Sequence, residues 1–321
     1  MKLINWMQLT AGTLGVLGAF AGASYAQTAP TVTVYANGIT APAGTVEVAN
    51  SLWVADHLQG FCRLDVPVGG GTAVINAATC VTTAISAGQP SFDGNYLYLP
   101  DNSSKSRGVW RLRYSASTGR FITSTTSPNR PILVATNGNA RPTATALAGG
   151  NLYIGSLKNG NILRVTNPAG TPVTTVVGRT SDGRGAASLA SLNGNLYIAE
   201  GTGVSAIPTN ANELTACGRP CIASLLPSNF ITLPAAIASN GESLFIADNT
   251  NEIIKYTPGT DPDFPESIEE IYVPGGSFRL PSGLGISNGA TVLYVGDDPT
   301  DGNGVAQGRI WKVEPVPVVT P

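Results

Sequence analysis

One five-residue pattern recurs six times along the chain and leaves few folds open to it. It reads LWVAD (Leu52–Asp56), LYLPD (Leu97–Asp101), LYIGS (Leu152–Ser156), LYIAE (Leu196–Glu200), LFIAD (Leu244–Asp248) and LYVGD (Leu293–Asp297), with 44 to 55 residues between successive leucines. The fullest copy, Ser243–Gly259, is SLFIADNTNEIIKYTPG: an apolar run, an acid, a short polar turn and a second apolar run. β-Branched and aromatic residues on both sides of an Asn/Thr-rich turn predict a β-hairpin. Hairpins repeating at a period in the forties mark a radial β-array. The expected fold is all-β: a six-bladed β-propeller with four-stranded blades.

In the first copy the four strands fall at Thr45–Val48, Leu52–Ala55, Phe61–Asp65 and Ala73–Ala77, strands a to d from the axis outward. The same order follows around each later leucine, except that the last copy stops after its third strand, Arg309–Val313. Thr31–Tyr35 (TVTVY) alternates like a strand but has nothing local to pair with. It would complete the last blade and close the ring, leaving no long free edge. The b strands are apolar at successive positions, as sheets covered on both faces require. The c strands place a basic residue third in five copies: Arg63, Arg111, Arg164, Lys255 and Lys312.

Residues 1–26 read as an export signal, with Lys2, an apolar stretch Leu9–Phe20 and a small-x-small site, Ser24-Tyr25-Ala26, before Gln27. That apolar stretch is shorter than the roughly 20 residues a membrane span needs. The expectation is an exported propeller over 27–315, periplasmic or extracellular, with a short Pro-rich tail at 316–321 and no membrane insertion after cleavage. Four cysteines fit an oxidising compartment, as two local disulfides, Cys62–Cys80 and Cys217–Cys221. A formal net charge of −2 offers no basic footprint, so nucleic acid is set aside as a partner.

A proline before strand a (Pro90, Pro142, Pro234 and Pro281) followed by runs such as LFIADNTNEIIKY resembles the NHL repeat. The resemblance covers essentially all of Gln27–Pro315 and implies a six-bladed propeller, a fold that hosts enzymes and binding modules alike. The same fold is shared by the gluconolactonase family, whose members set a Glu, Asn and Asp around an axial metal. Their Glu-Gly-Pro opening is absent here, where the first blade reads Pro42-Ala43-Gly44-Thr45.

In a propeller the b-to-c and d-to-a connections share one face. The ends of the b strands should therefore ring one mouth of the axis: Asp56, Asp101, Ser156, Glu200, Asp248 and Asp297, with Arg141, Arg184 and Arg279 added by the d-to-a connections. Two readings of the acids stand side by side. They form a cation or polar-ligand mouth, or each caps its own turn by accepting backbone N–H bonds. The blade-six loop carries Asp297, Asp298, Asp301 and Asn303, oxygen ligands of the kind Ca²⁺ takes, although Pro299 breaks EF-hand spacing. His57, the single histidine, adjoins Asp56 and has a packing or turn role or a part in ligand binding. Small residues (Gly44, Ser91, Thr143, Ala186, Ala235 and Ser282) are expected to open the a strands along the channel.

The functional expectation is a binding or interaction module that meets a protein or small-molecule ligand on this face. The alternative is a metal-dependent hydrolase of lactones or esters with an axial site. A quinone-dependent dehydrogenase is the third reading, for which no histidine–carboxylate cluster can be named.

Overall fold

The computed structural model describes residues 30–314, apart from 82–85, 104–106, 136–140, 159, 181–184, 202, 211–222, 227–230, 251, 259–266, 271–277 and 299–307. Six antiparallel sheets follow one another along the chain. Blade one runs Pro42–Val48, Ser51–Asp56, Gly60–Asp65 and Val74–Val81, in that spatial order. Blade six consists of Pro281–Ile286, Leu293–Asp297 and Gly308–Glu314, with Thr31–Ile39 added outside as the fourth strand. The orphan strand closes the ring, paired from Thr31↔Glu314 to Ile39↔Gly308.

The unbroken apolar runs of the b strands have a direct cause. Successive side chains of a strand point to opposite faces, and here both faces are covered by neighbouring blades. Leu244 and Ile246 enter a cluster with Tyr197 and Ala199 of blade four, while Phe245 and Ala247 enter one with Val295 and Trp311 of blade six. In blade one, Leu52 and Val54 pack toward Tyr294, and Trp53 and Ala55 toward Leu97 and Leu99. Six such clusters fill the six inter-blade seams. The core is thus a ring of sandwiches.

The basic residues of the c strands act near the outer rim. Arg111 reaches blade three, donating to the carbonyls of Pro168 (2.7 Å) and Gly170 (3.2 Å), with its guanidinium 5.1 Å from the Tyr96 ring centroid. Arg63 stays in its own blade and makes a paired contact with Asp65 at 2.6 and 3.0 Å. Cys62 and Cys80 are bridged. The bridge spans an irregularity between the pairs Phe61↔Val81 and Arg63↔Asn76, where the outer strand carries extra residues. Cys217 and Cys221 lie outside the described residues.

The register of the a strands corrects one expectation. The residue paired with the last residue of strand b is Pro42, Ala87, Pro142, Ala186, Pro234 and Pro281 in blades one to six. Pro90 therefore stands three positions beyond its counterparts. Gly44, Ser91 and Ala186 likewise do not occupy the place held by Thr143, Ala235 and Ser282. Blade two misled the reading because its regular a strand shrinks to Ser91–Phe92, preceded by Gly88-Gln89-Pro90.

Candidate functional site

Five a strands share an irregularity just after the residue paired with strand b. The register jumps from Pro42↔Asp56 to Gly44↔Ala55, and in the same way in blades three, four, five and six. The skipped residues are Ala43, Thr143, Ala187, Ala235 and Ser282. A bulge re-aims the residue it inserts, and all five line one cavity at the upper mouth of the axis.

The acids that end the b strands turn the other way. Asp56 is fully buried, with Oδ2 accepting from the backbone N–H groups of Thr40 (2.8 Å) and Ala41 (3.2 Å), and Oδ1 from Leu58 (2.7 Å) and Gln59 (3.0 Å). Asp101 accepts from the N–H groups of Ser86 and Ser103 and from the Ser103 hydroxyl. Asp248 accepts from Thr232, Leu233 and Thr250, and Asp297 from Arg279, Leu280 and the Trp311 indole. Each carboxylate ties the incoming d-to-a segment to its own blade, and each also ties down the b-to-c turn or strand c. Glu200 is buried in the equivalent place. Where blade three has Ser156 instead, the hydroxyl is buried and finds no partner among the described residues.

The groups facing the mouth stand one residue later. His57, Asn102, Leu157, Gly201 and Asn249 each follow a b-strand end and line the cavity. Their backbone extends the ladder by one bond: His57 N to Ala41 O, Asn102 N to Ser86 O, Leu157 N to Arg141 O and Asn249 N to Leu233 O. Asp298 holds the same place in blade six through Leu280 O. The cavity measures about 370 Å³ and is lined by small, amide, hydroxyl and imidazole side chains together with Leu157, Leu233 and Pro234. Asn102 and Asn249 come from opposite blades of the ring, and the Oδ1 atom of each is shielded and without a hydrogen-bond partner among the described residues.

Its floor is Gln89. From blade two this side chain crosses the axis, where Oε1 accepts from the Ser188 hydroxyl and from Leu189 N (3.1 Å) of blade four. Its amide donates to Ile237 O of blade five at 3.0 Å. The upper cavity forms an open cup walled by the bulged residues of five a strands.

Two ionisable groups at the cup are displaced from their ordinary values. Burial lowers the His57 pKa below 6.5, against the opposing pull of Asp56. Burial raises Asp298 above the usual carboxylate value, with Asp56 and Asp297 adding to the effect. A lowered His57 pKa means the unfolded chain takes up its proton first as pH falls. His57 therefore withdraws stability as pH drops through 6.5 toward its folded value. Since the chain has one histidine, its imidazole C2–H resonance is unambiguous in a proton NMR titration. The expected midpoint lies below 6.5, and a midpoint at or above it would contradict a partly buried ring that is neutral at pH 7.

The other expected site residues scatter. Arg141 and Arg279 are exposed, and Arg279 meets Asp297 through its backbone N–H. Arg184, Asp301 and Asn303 lie outside the described residues. Among the described residues no three His, Cys, Asp or Glu side chains converge as a metal would need. Nor is any described helix long and apolar enough to cross a membrane.

No protein-family model matches the chain, and no curated protein matches it in sequence. Solved structures match it in shape. The PQQ-bound aldose sugar dehydrogenase of Streptomyces coelicolor superposes with a TM-score of 0.59 at 16% identity, covering 89% of this chain and 98% of that one. A gluconolactonase of Xanthomonas campestris gives 0.56 at 13% identity over 89% of each chain. A chain of the nidogen–laminin complex gives 0.53 at 14% identity, over 77% of this chain and 85% of that one. These likenesses establish the propeller fold and go no further, since two of the three are enzymes and one belongs to a protein–protein complex.

Proposed function

We propose that the protein is an exported binding module whose upper cup takes a small, uncharged, hydroxyl-rich molecule. The observation that carries this reading is the division of labour on the upper face. The carboxylates of Asp56, Asp101, Asp248 and Asp297 are committed to backbone N–H groups. What lines the cup is His57, Asn102 and Asn249 with Leu157, Leu233, Pro234 and small residues, among which Thr143 and Ser282 donate their hydroxyls to the carbonyls of Ala186 and Pro42 and keep only acceptor capacity. Amides, hydroxyls and a neutral imidazole recognise hydroxyl and carbonyl groups, and they offer a charged ligand nothing to offset its desolvation. The volume lies within the range of small-molecule sites. Structural neighbours named for an aldose sugar dehydrogenase and a gluconolactonase suggest the probes with which to test it.

Titration calorimetry of the mature chain with D-glucose, glucono-1,5-lactone and gluconate tests this. Saturable heat is expected from the two neutral compounds and none from the anion. Asn249→Leu should weaken binding about fivefold or more, the loss of one or two hydrogen bonds. Silence from both neutral compounds, or tighter binding of gluconate, would reject the reading.

A second reading, hydrolysis of lactones or esters, draws on the gluconolactonase likeness and on His57 as the one imidazole in the cup. A divalent-metal requirement belongs to this reading. Ring opening of the lactone faster than in buffer, abolished by His57→Ala and by a chelator, would favour it over simple binding.

A further inference from the structure

The cup has two unlike sides. From blade three round to blade five its lining is largely apolar: Leu157, Ala187, Leu233, Pro234 and Ala235. Across the axis, blades six, one and two bring Ser282, His57, Ser86 and Asn102, with the small Ala43 among them. Thr143 and Asn249 interrupt the apolar side, and the Thr143 hydroxyl is turned away to the carbonyl of Ala186.

The two leucines on the apolar side are open to solvent, Leu157 at 40% and Leu233 at 48% exposure. The third exposed leucine among the described residues, Leu58 at 67%, also stands on the upper face, next to His57. A single leucine in water carries no message. These two face one cavity from alternate blades, and their backbones are fixed. Leu157 N donates to Arg141 O (2.9 Å), and Gly185 lies so close behind that a Cβ there would collide with the Leu157 backbone. Leu233 N donates to Asp248 Oδ1 (3.1 Å), and its carbonyl accepts from Asn249 N (3.0 Å). Apolar side chains on braced backbone lose little further freedom when a ligand covers them, so more of the burial shows as affinity.

We propose that the ligand of the cup is a neutral glycoside, with sugar hydroxyls toward His57 and Asn102 and an apolar aglycone against Leu157 and Leu233. This inference rests on the reading of the cup as a site for uncharged, hydroxyl-rich molecules and names the class within it. A free sugar would leave both leucines in water. A wholly apolar molecule would strip water from the imidazole and amide without replacing its hydrogen bonds.

Methyl and hexyl D-glucopyranosides, with hexanol as the sugarless control, are the probes, each titrated into the mature chain below its micelle threshold. Hexyl glucoside should bind about tenfold tighter than methyl glucoside, the effect of burying about two methylene groups. Hexanol should bind more weakly than hexyl glucoside. In a ¹³C-labelled chain, hexyl glucoside should shift the Leu157 and Leu233 methyl resonances saturably, the two being assigned from Leu157→Ser and Leu233→Ser. With both substitutions combined, the preference for hexyl over methyl should fall to about threefold or less. Saturable binding of both glycosides with equal affinity would overturn this inference and leave the cup as a site for sugars. Silence from both would overturn the two readings together. A hexyl preference that survives the double substitution, unmoved leucine methyls, or hexanol binding as tightly as hexyl glucoside would also overturn it.

Discussion

A chain lacking Thr31–Ile39 is expected to lose the whole ring, rather than to fray at one blade. The segment makes seven register pairs with Gly308–Glu314. It also contributes to two seams. Ala36 and Ile39 are fully buried with Leu52, Val54 and Ile310, while Val32 and Val34 pack on the cluster of Trp311 and Val313. Tyr35 meets the Tyr294 ring edge-on at 5.4 Å. Each buried aliphatic side chain is worth ~1.5–3 kcal/mol, against a total stability of ~5–15 kcal/mol for a domain. Removal would also leave Gly308–Glu314 as an uncovered edge bearing Ile310, Trp311 and Val313, a template for association between chains. Circular-dichroism melts of the shortened chain should show no cooperative transition near that of the intact protein, and size-exclusion chromatography should show aggregates. A synthetic peptide of residues 31–39 added in trans should restore part of the transition. An unchanged midpoint in the shortened chain would mean that the closure contributes nothing to stability.

The ring was legible in the sequence because its cause is local and repeated. Two-sided burial forces apolar residues at consecutive b-strand positions, so Leu152-Tyr153-Ile154 and its counterparts stand out against turns rich in Gly and Asn. The orphan strand was legible for a related reason, since it matched the fourth strand missing from the last copy. The cup was less legible. A bulge leaves no mark on composition: Ala43, Thr143, Ala187, Ala235 and Ser282 differ in nothing but position from neighbouring residues. The mouth residues His57, Asn102, Leu157, Gly201, Asn249 and Asp298 have no common identity, because they face a space and not a repeated partner. Their signal was only positional, one step beyond a regular acid. Gln89 had none, since its side chain meets Ser188 and Ile237 at separations of 99 and 148 residues.

The regular acids were legible as positions, and their roles can be ranked by the donors they hold. Asp56→Ala leaves four backbone N–H groups, those of Thr40, Ala41, Leu58 and Gln59, without an acceptor. Asp248→Ala leaves three, those of Thr232, Leu233 and Thr250. Hydrogen bonds to a charged acceptor contribute about 1.5–3 kcal/mol each, but water can reach the donors of exposed Leu58 and Gln59 once the carboxylate is gone. A net loss of ~3 kcal/mol or more is expected for Asp56→Ala, or roughly 6 °C and upward in Tm for a domain of this size. Asp248→Ala should lose less. Asp56→Asn should fall between wild type and Asp56→Ala, because its amide keeps one acceptor and turns a donor toward two N–H groups that cannot accept. The losses should be the same with calcium and with chelator, since the carboxylate oxygens face backbone amides. A midpoint for Asp56→Ala equal to wild type, or one that falls only in the presence of calcium, would transfer these acids from the architecture of the loops to the binding of an ion.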